Sequence, residues 1–396
     1  MVPLLDVNAQ NHPLEAEFNE AFSRVFKSGQ FIMGEEVTRL ESELAELTES
    51  RHCIGVSSGT DAILLALMAL DIGPGDEVLV PTFTFFATAG CVSRVGATPV
   101  FVDSCPVCFN IDLADAKAKI TLKTKAIIPV HLFGQSADMD GVTALAQEHD
   151  LWIIEDAAQA IGARYRGRSC GTMSEFGTYS FFPSKNLGGF GDSGALVTQD
   201  DALAEKARIL RNHGMQPKYY HHSIGGNFRI DAIQSAMLRV KIPHYPEYTQ
   251  GRQRNAARYL DQLSQLPGVA TANPAHCHCA ASQEAWAVEN GVQIILPTAY
   301  AHNEHIWNQF TLRVLGEGRR DALKQHLIEL KIGCEIYYPL TLDQQQCFQQ
   351  LPESSRLGCG TAHRLAQEVL SIPIYAELTD AQLEEVIAGI ASFVTA

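Results

Sequence analysis

The sequence predicts an α/β protein in which a mostly parallel sheet is followed by a smaller α+β domain. Short β-rich runs alternate with helical patterns through the first two-thirds of the chain, which favours parallel strands covered by helices. From about residue 231 a long helical stretch begins, interrupted by Pro243 and Pro246. We therefore expect a large domain over residues 1–245, which includes an N-terminal segment, and a small C-terminal domain over residues 246–396.

Apolar, β-rich runs bounded by turn residues mark the individual strands. In the large domain they fall at 77–81, 98–103, 125–130, 151–156, 176–181 and 194–198. Helical periodicity predicts helices at 61–70, 140–149 and 202–211. Further along the chain we expect a helical stretch over 231–266, a loop region over 267–303, strands at 309–314 and 334–338, and helices at 319–330 and 380–393.

The composition excludes several classes of protein. The 396 residues carry 30 Lys and Arg against 45 Asp and Glu, a formal net charge of −15, and nucleic-acid binding needs clustered positive charge instead. The start lacks a basic segment followed by an apolar core, so we expect no signal peptide. No apolar run approaches the ~20 residues that span a bilayer. We expect a cytoplasmic protein with neither nucleic acid nor membrane as a partner.

Two cysteine-containing clusters were weighed as metal sites. Cys105 and Cys108 have zinc-site spacing, but no second Cys-x-x-Cys pair supplies the other two ligands of a tetrahedral ion. The segment 276–279 reads His-Cys-His-Cys, and adjacent side chains of an extended chain point in opposite directions, so all four cannot converge. Taken one cluster at a time, the sequence predicts no metal site.

A Ser-Ser-Gly-Thr-Asp turn at 57–61 precedes a predicted helix. The free N–H groups at a helix N-terminus lie at the positive end of its dipole and form an anion site that suits phosphate. An ordinary Ser/Thr/Asp N-cap explains the same residues.

The second candidate is Asp156, at the end of an apolar strand, followed by Ala157, Ala158 and Gln159. Ligands of open α/β sheets bind outside the carboxyl ends of the strands. An ionised carboxylate there needs a cationic partner to offset its desolvation. A helix cap is the alternative interpretation.

The third candidate is Lys185, in a turn that ends in Gly188 and Gly189. A partly desolvated amine has a lowered pKa and becomes a nucleophile toward carbonyls, whereas most lysines are solvated surface groups. Together the three motifs match one ligand, pyridoxal phosphate (PLP). The helix N-terminus would take its phosphate, Asp156 its ring nitrogen and Lys185 its aldehyde.

The sequence resembles the DegT/DnrJ/EryC1/StrS nucleotide-sugar aminotransferases, of the fold-type I aspartate aminotransferase superfamily. The resemblance runs along almost the whole chain. Its motifs are LLDVNAQ near the start, SGQFIMGEEV (28–37), GVSSGTDAILLAL (55–67), VPTFTFFATA (80–89), EDAAQAIGA (155–163), SFFPSKNLGGFGDSGA (180–195), RNHG (211–214), GGNFRIDAIQSAML (225–238) and EIYYPL (335–340).

The resemblance implies a PLP fold-type I large domain and roles for individual residues. Lys185 would bond covalently to the cofactor and later move a proton between the substrate carbon and the cofactor. Asp156 would keep the pyridine nitrogen protonated, Gln159 would lie on the side of the phenolic oxygen, and Phe85 would stack on the ring.

The resemblance also implies how the phosphate of PLP is held and how the chain assembles. Gly59, Thr60 and Ser180 would bind the phosphate. Asn227 would reach the cofactor of a neighbouring subunit, so the active sites would be shared within a homodimer.

The implied reaction moves an amino group from glutamate, through pyridoxamine phosphate (PMP), to a keto nucleotide-sugar. The stretch 213–221 resembles members that act on 3-keto sugars, with UDP- or dTDP-linked substrates. The substrate candidates are His213, Tyr219, His221, Arg229 and Tyr338.

Four alternatives stay open at this point: a 4-keto nucleotide-sugar aminotransferase, a PLP-dependent sugar dehydratase, a regulatory member of the fold, and an NAD-dependent oxidoreductase. Lys185 argues against dehydratases that replace it with histidine. The glycines at 188, 189 and 191 lack the spacing and the following helix of a dinucleotide-binding turn.

Overall fold

A computed structural model describes residues 1–277 and 280–395 and shows an α/β protein with a mostly parallel central sheet, as the sequence predicts. The strands are β1 His52–Val56, β2 Glu77–Pro81, β3 Thr98–Val102, β4 Thr124–Ile127, β5 Trp152–Asp156, β6 Arg164–Tyr165, β7 Arg168–Ser169, β8 Phe176–Ser180, β9 Gly194–Thr198, β10 Val269–Thr271, β11 Ile294–Leu296, β12 Asn303–Glu304, β13 Phe310–Val314 and β14 Val369–Ile372.

The helices surround the sheets. They are α1 Val7–Asn11, α2 Glu15–Ser28, α3 Glu35–Thr48, α4 Gly59–Ala69, α5 Ala87–Arg94, α6 Leu113–Ala118, α7 Met139–His149, α8 Asp201–Arg211, α9 Ala232–Lys241, α10 Tyr245–Leu263, α11 Ala280–Glu289, α12 Arg319–Glu329, α13 Gly360–Glu368 and α14 Asp380–Val394.

The central sheet has the strand order β1-β9-β8-β5-β4-β2-β3. Strand β9 runs antiparallel to both β1 and β8, while the other neighbouring pairs are parallel. Helix α4 is buried along nearly its whole length, with Ala62 to Leu67 almost inaccessible to solvent, because it packs among strands and other helices. Because β1, β5 and β8 run in the same direction, their carboxyl ends lie at one edge of the sheet. Helix α4 begins at this edge, directly after β1.

A second sheet, of order β10-β11-β13-β14, belongs to the C-terminal part of the chain. Its core gathers Tyr259, Phe310, Leu383 and Ile390, and it also takes in Val2 from the N-terminal segment. A three-stranded sheet, β12-β6-β7, connects 303–304 with the turn at 164–169. The division of the chain at residue 245 stays a prediction.

The structure corrects two expectations about the C-terminal part. The predicted loop region over 267–303 contains the strands β10 and β11 and the helix α11. Each of the two strands is three residues long, which is too short to show periodicity. The predicted strand over 334–338 is wrong. Only Glu335 pairs there, with Ser371 in an isolated bridge, and the chain then turns so that Tyr338 contacts Phe83 and Gln159.

The helical stretch over 231–266 is divided, as its prolines suggest. A short 3-10 segment, Ile242–His244, separates α9 from α10. Within the part of the chain that the structure describes, no helix has both the length and the apolarity needed to cross a membrane.

Substitution of Gly177 tests the packing of the central sheet. A Cβ atom at Gly177 in β8 would lie 1.9 Å from the carbonyl oxygen of Gly171, which is backbone and cannot rotate away. We predict that Gly177→Ala lowers the free energy of unfolding by about 1–3 kcal/mol, measured from urea midpoints. Gly360→Ala is the control, because Gly360 begins α13 with open space around it, and this change should be neutral or stabilising. Equal effects of the two substitutions would contradict the prediction.

Candidate active site

Three segments meet at the carboxyl edge of the central sheet. Asp156 ends β5, Ser180 ends β8, and Ser57 and Ser58 link β1 to α4. Since the carboxyl ends of parallel strands share one edge, the fold brings together side chains that lie more than a hundred residues apart in the sequence. This is the location at which open α/β sheets bind ligands.

Asp156 is buried and held from two sides. Its Oδ2 accepts a hydrogen bond of 2.8 Å from the Thr88 hydroxyl, and its Oδ1 accepts one of 3.2 Å from the Ala158 amide. Burial raises the pKa of Asp156 above its ordinary value, while the bonds from Thr88 and Ala158 and the charge of Lys185 oppose that rise. A buried carboxylate of this kind favours a cationic N–H partner.

The residue before Asp156 anchors the end of β5. Glu155 is fully buried, and its carboxylate accepts hydrogen bonds from His131 Nε2 at 2.9 Å and from the Gly171 and Met173 amides at 2.7 Å each. His131 Nδ1 accepts from the Ala137 amide, so the proton resides on Nε2 and points at Glu155. This network holds the backbone at Asp156 in position and makes no bond to the Asp156 carboxylate.

Lys185 lies in a tight turn after β8. The Lys185 amide donates to the Phe182 carbonyl at 2.8 Å, and the Gly189 amide donates to the Phe181 carbonyl at 2.7 Å. A Cβ atom at Gly188 would lie 2.3 Å from the Pro183 carbonyl oxygen, so the turn requires glycine there. The buried ammonium of Lys241 closes the turn by donating to the Gly188 carbonyl at 2.8 Å.

The amine of Lys185 lies close enough to the carboxylate of Asp156 for the two charges to interact. Desolvation of Lys185 lowers its pKa to about 8, and the charge of Asp156 opposes that fall. Among the described residues, the amine forms no hydrogen bond or salt bridge. An amine with this pKa is deprotonated often enough near neutral pH to act as a nucleophile and as a base.

The start of α4 forms an anion site next to Ser180. The hydroxyl of Ser58 caps the helix by accepting from the Asp61 amide at 3.0 Å, which leaves the amides of Gly59 and Thr60 without a partner among the described residues. A Cβ atom at Gly59 would lie 2.7 Å from Ser180 Cβ, so Gly59 allows the two segments to approach closely. The predicted phosphate ligands thus adjoin one another.

Gln159, Phe85 and Tyr338 form another wall of the site. Gln159 Oε1 accepts from the Phe133 amide at 2.7 Å, and Gln159 Nε2 donates to the Tyr338 hydroxyl at 3.2 Å. The ring of Phe85 lies 6.4 Å from that of Tyr338 and is 58% exposed. An aromatic ring exposed to this extent beside a charged site is suited to stacking on a planar ligand.

The donor set fits PLP. The free amides of α4 and Ser180 suit its phosphate, the buried carboxylate of Asp156 suits a protonated ring nitrogen, and the amine of Lys185 suits its aldehyde. Phe85 offers an apolar face for its ring. Bound PLP supplies an electron sink for the bonds of an attached amine.

Other predicted site residues lie apart from this cluster. Asn227, His213, Tyr219 and His221 belong to exposed segments, and no contact joins them to Lys185 or Asp156 in the described part of the chain. Backbone pairing of Val56 with Arg229 nevertheless anchors the loop that carries Asn227 beside the phosphate turn.

Arg229 has a partner within its own region. Its Nη1 donates to Asn212 Oδ1 at 2.6 Å, which braces the loop against the end of α8. The roles of Arg229 and of the exposed candidates toward a substrate stay predictions.

Sequence analysis missed Thr88 and His131. Thr88 lies within the quoted 80–89 motif, yet only the fold shows that it bonds to a carboxylate 68 residues away. His131 has no local signal, since its bond to Glu155 arises from the neighbouring positions of two strand ends.

The fold and the site together define a PLP-dependent aminotransferase of fold type I. The DegT/DnrJ/EryC1/StrS aminotransferase family matches residues 13–391, and the chain belongs to this family. PLP is therefore its cofactor, and the enzyme is a transaminase.

Relatives and solved structures match the chain over nearly its whole length. The chain is 43% identical over 399 aligned positions to a "pleiotropic regulatory protein" of Geobacillus stearothermophilus, covering 99% of this chain and 98% of the relative. It is 42% identical to the UDP-N-acetyl-3-dehydro-alpha-D-glucosamine 3-aminotransferase of Acidithiobacillus ferrooxidans, covering 97% and 96%. Streptomyces venezuelae DesV, solved with a ketimine intermediate, superposes with a TM-score of 0.89 at 40% identity, covering 100% and 99%.

The lowered pKa of Lys185 can be measured in the protein freed of PLP. We predict that Lys185 titrates near pH 8, well below the 10.5 of an ordinary lysine, and that Asp156→Asn lowers this value further because the charge that raises it is gone. The measurement is NMR of ¹³C-methylated lysines.

Lys241 also titrates near 8, so the Lys185 signal is identified by its loss in Lys185→Arg. An unchanged or higher pKa of Lys185 in Asp156→Asn would show that the two groups do not interact.

Proposed function

We propose that this protein transfers an amino group from glutamate to a 3-keto nucleotide-sugar in the cytoplasm. The observation that carries the proposal is the electrostatic interaction between the desolvated amine of Lys185 and the buried carboxylate of Asp156, at the sheet edge where the helix N-terminus suits a phosphate. The choice of sugar rests on the similarity to the Acidithiobacillus relative, which is named for a 3-dehydro, that is 3-keto, sugar substrate, and on the 213–221 stretch.

The residues of the chain divide the work of the transfer. Asp156 would hold the ring nitrogen of PLP protonated, with Thr88 keeping the carboxylate oriented. Lys185 would take the proton from the amine-bearing carbon of glutamate and deliver it to the cofactor. In the second half of the reaction it would take a proton back from the cofactor and deliver it to C3 of the sugar. A base whose pKa lies near the working pH performs both steps efficiently.

The 213–224 segment is proposed as the sugar-binding loop. Tyr219 is 77% exposed and Ile224 is 92% exposed, while the His221 ring is fixed by a contact of 2.9 Å between its Nδ1 and the His213 carbonyl oxygen. Exposed aromatic and imidazole groups are suited to stacking on a nucleotide and to bonding sugar hydroxyls. Tyr338 would approach the substrate from the opposite wall.

Exposed apolar side chains support a homodimer. Phe26 is 67% exposed on α2, and Phe31 and Ile32 are also exposed next to the start of α9. Phe190 lies nearby, with its ring 4.7 Å from that of Phe18. Clustered apolar surface of this kind is typical of a protein interface. Ile32 pairs with Asp231, four residues after Asn227, which suits a site shared between subunits.

The relative named as a pleiotropic regulatory protein supports a second candidate function, a regulatory role without turnover. Such a protein has no need of a reactive amine. The combination of a desolvated Lys185, a buried Asp156 and a free helix N-terminus therefore favours catalysis.

The substrate class is tested with a panel of UDP- and dTDP-linked 3-keto and 4-keto sugars. The enzyme is first converted by glutamate to its PMP form, and return of the PLP absorbance on adding each sugar is followed. We expect kcat/KM to be about 10²-fold higher for at least one 3-keto sugar than for its 4-keto isomer.

Lys185→Ala should show no turnover with any sugar, and Lys331→Ala, an exposed lysine, should match the wild type. Preference for 4-keto sugars would overturn the proposed position of amination. A wild-type protein that glutamate cannot convert would overturn transamination itself.

The shared active site is tested by mixing two inactive variants. Asn227→Asp places a negative charge near the phosphate of the partner's cofactor, and Lys185→Ala removes the base. A mixed dimer has one site with both residues intact, so an equimolar mixture should recover about one quarter of wild-type activity after subunit exchange. Activity that stays at the level of the separate variants would show that Asn227 serves its own subunit.

A further inference from the structure

Three cysteine thiols that take no part in the PLP site converge in the fold. The Sγ atoms of Cys105, Cys108 and Cys277 all lie within 4.8 Å of one another. Cys105 Sγ lies 3.0 Å from Cys277 Sγ, and Cys108 Sγ lies 4.0 Å from it. Four thiolates around zinc at about 2.3 Å would be separated by about 3.8 Å, so small adjustments would place these three sulfurs around one ion.

The loop that carries Cys105 and Cys108 is shaped to present sulfur to an ion. The amides of Val107 and Cys108 both point at Cys105 Sγ from 3.4 Å. The Phe109 amide donates to the Cys105 carbonyl, and Phe109 itself adopts a left-handed φ of 66°. Amide hydrogen bonds to sulfur stabilise a thiolate that ligates a metal.

Cys277 comes from a distant segment and is also prepared as a ligand. The Tyr300 hydroxyl donates to Cys277 Sγ at 2.7 Å, and the Tyr300 amide donates to Gln135 Oε1 at 2.9 Å, which fixes the segment. The three cysteines line an open cleft of about 590 Å³, which gives an ion a route to the sulfurs.

We propose that the thiolates of Cys105, Cys108 and Cys277 bind one structural zinc ion. Sites with three or four thiolates are typical of structural zinc. In the fold, Cys277 supplies the third sulfur that the Cys105 and Cys108 pair lacks in the sequence.

The ion would join two parts of the molecule. Cys105 and Cys108 follow β3 of the central sheet, whereas Cys277 follows β10 of the second sheet. Phe109 packs against Phe83 and Phe133. Zinc would therefore fasten the C-terminal sheet to the loop behind the active-site wall and stabilise the folded chain.

The first test measures the zinc content of the untagged holoenzyme, produced with added zinc and purified without chelator. We expect about one zinc per chain by elemental analysis. Cys105→Ser and Cys277→Ser should each lose most of the zinc and lower the thermal midpoint by several degrees, yet retain the PLP absorbance. Cys347→Ser, an exposed cysteine outside the cluster, is the matched control and should keep its zinc.

Because a variant can fail to fold, cobalt-substituted wild-type enzyme gives an independent measurement, and its spectrum should show thiolate charge transfer and tetrahedral geometry. Zinc-free wild-type protein would overturn the proposal. So would zinc that survives Cys277→Ser, iron with acid-labile sulfide, or a disulfide in the intact mass.

Discussion

The interaction between the buried carboxylate of Asp156 and the desolvated amine of Lys185 constrains the rest of the structure. Burial of either charged group without the other is unfavourable. Each group must therefore be held in position by residues that do not pair with its charge. The Glu155–His131 network holds the end of β5, and the Lys241 ammonium holds the turn after β8. Strand β9 between β1 and β8 then adds the start of α4 to the same edge. PLP fits where these supports converge.

Much of this could be predicted from the sequence because the signals are local. The strand predictions at 77–81 and 194–198 coincide with β2 and β9, since apolar runs between turn residues determine where a buried strand begins and ends. Lys185 and Asp156 could be singled out as candidates for a similar reason, as each lies in a short motif whose neighbours set its conformation, and their roles stay predictions. The family assignment and the cofactor, both expected from these motifs, are confirmed by the matching family.

The remaining features depend on contacts between distant segments. The bond from Thr88 to Asp156, and the turn of the chain that brings Tyr338 to Gln159, have no counterpart in local composition. The predicted strand over 334–338 is wrong for the same reason. Tyr338 forms part of the active-site wall, and the segment makes only an isolated bridge at Glu335 instead of a continuous β-ladder. Cys105 and Cys277 are 172 residues apart, and each looked deficient in ligands when considered with its own neighbours only.

Withdrawal of two lysines from water also affects how the molecule responds to alkali. Lys185 and Lys241 both titrate near 8 in the folded protein, against 10.5 in an unfolded chain. For these two groups alone, the unfolded chain binds more protons than the folded one between those values, so their contribution to native-state stability grows as pH rises and is constant below 8. The buried thiols of Cys53 and Cys170 and the buried phenol of Tyr179 have raised pKa values and contribute in the opposite direction. Bound PLP would remove Lys185 from this balance. Lys241 lies on α9 and bonds to the turn that carries Lys185. Both lysines with lowered pKa values therefore belong to one region at the catalytic edge of the sheet.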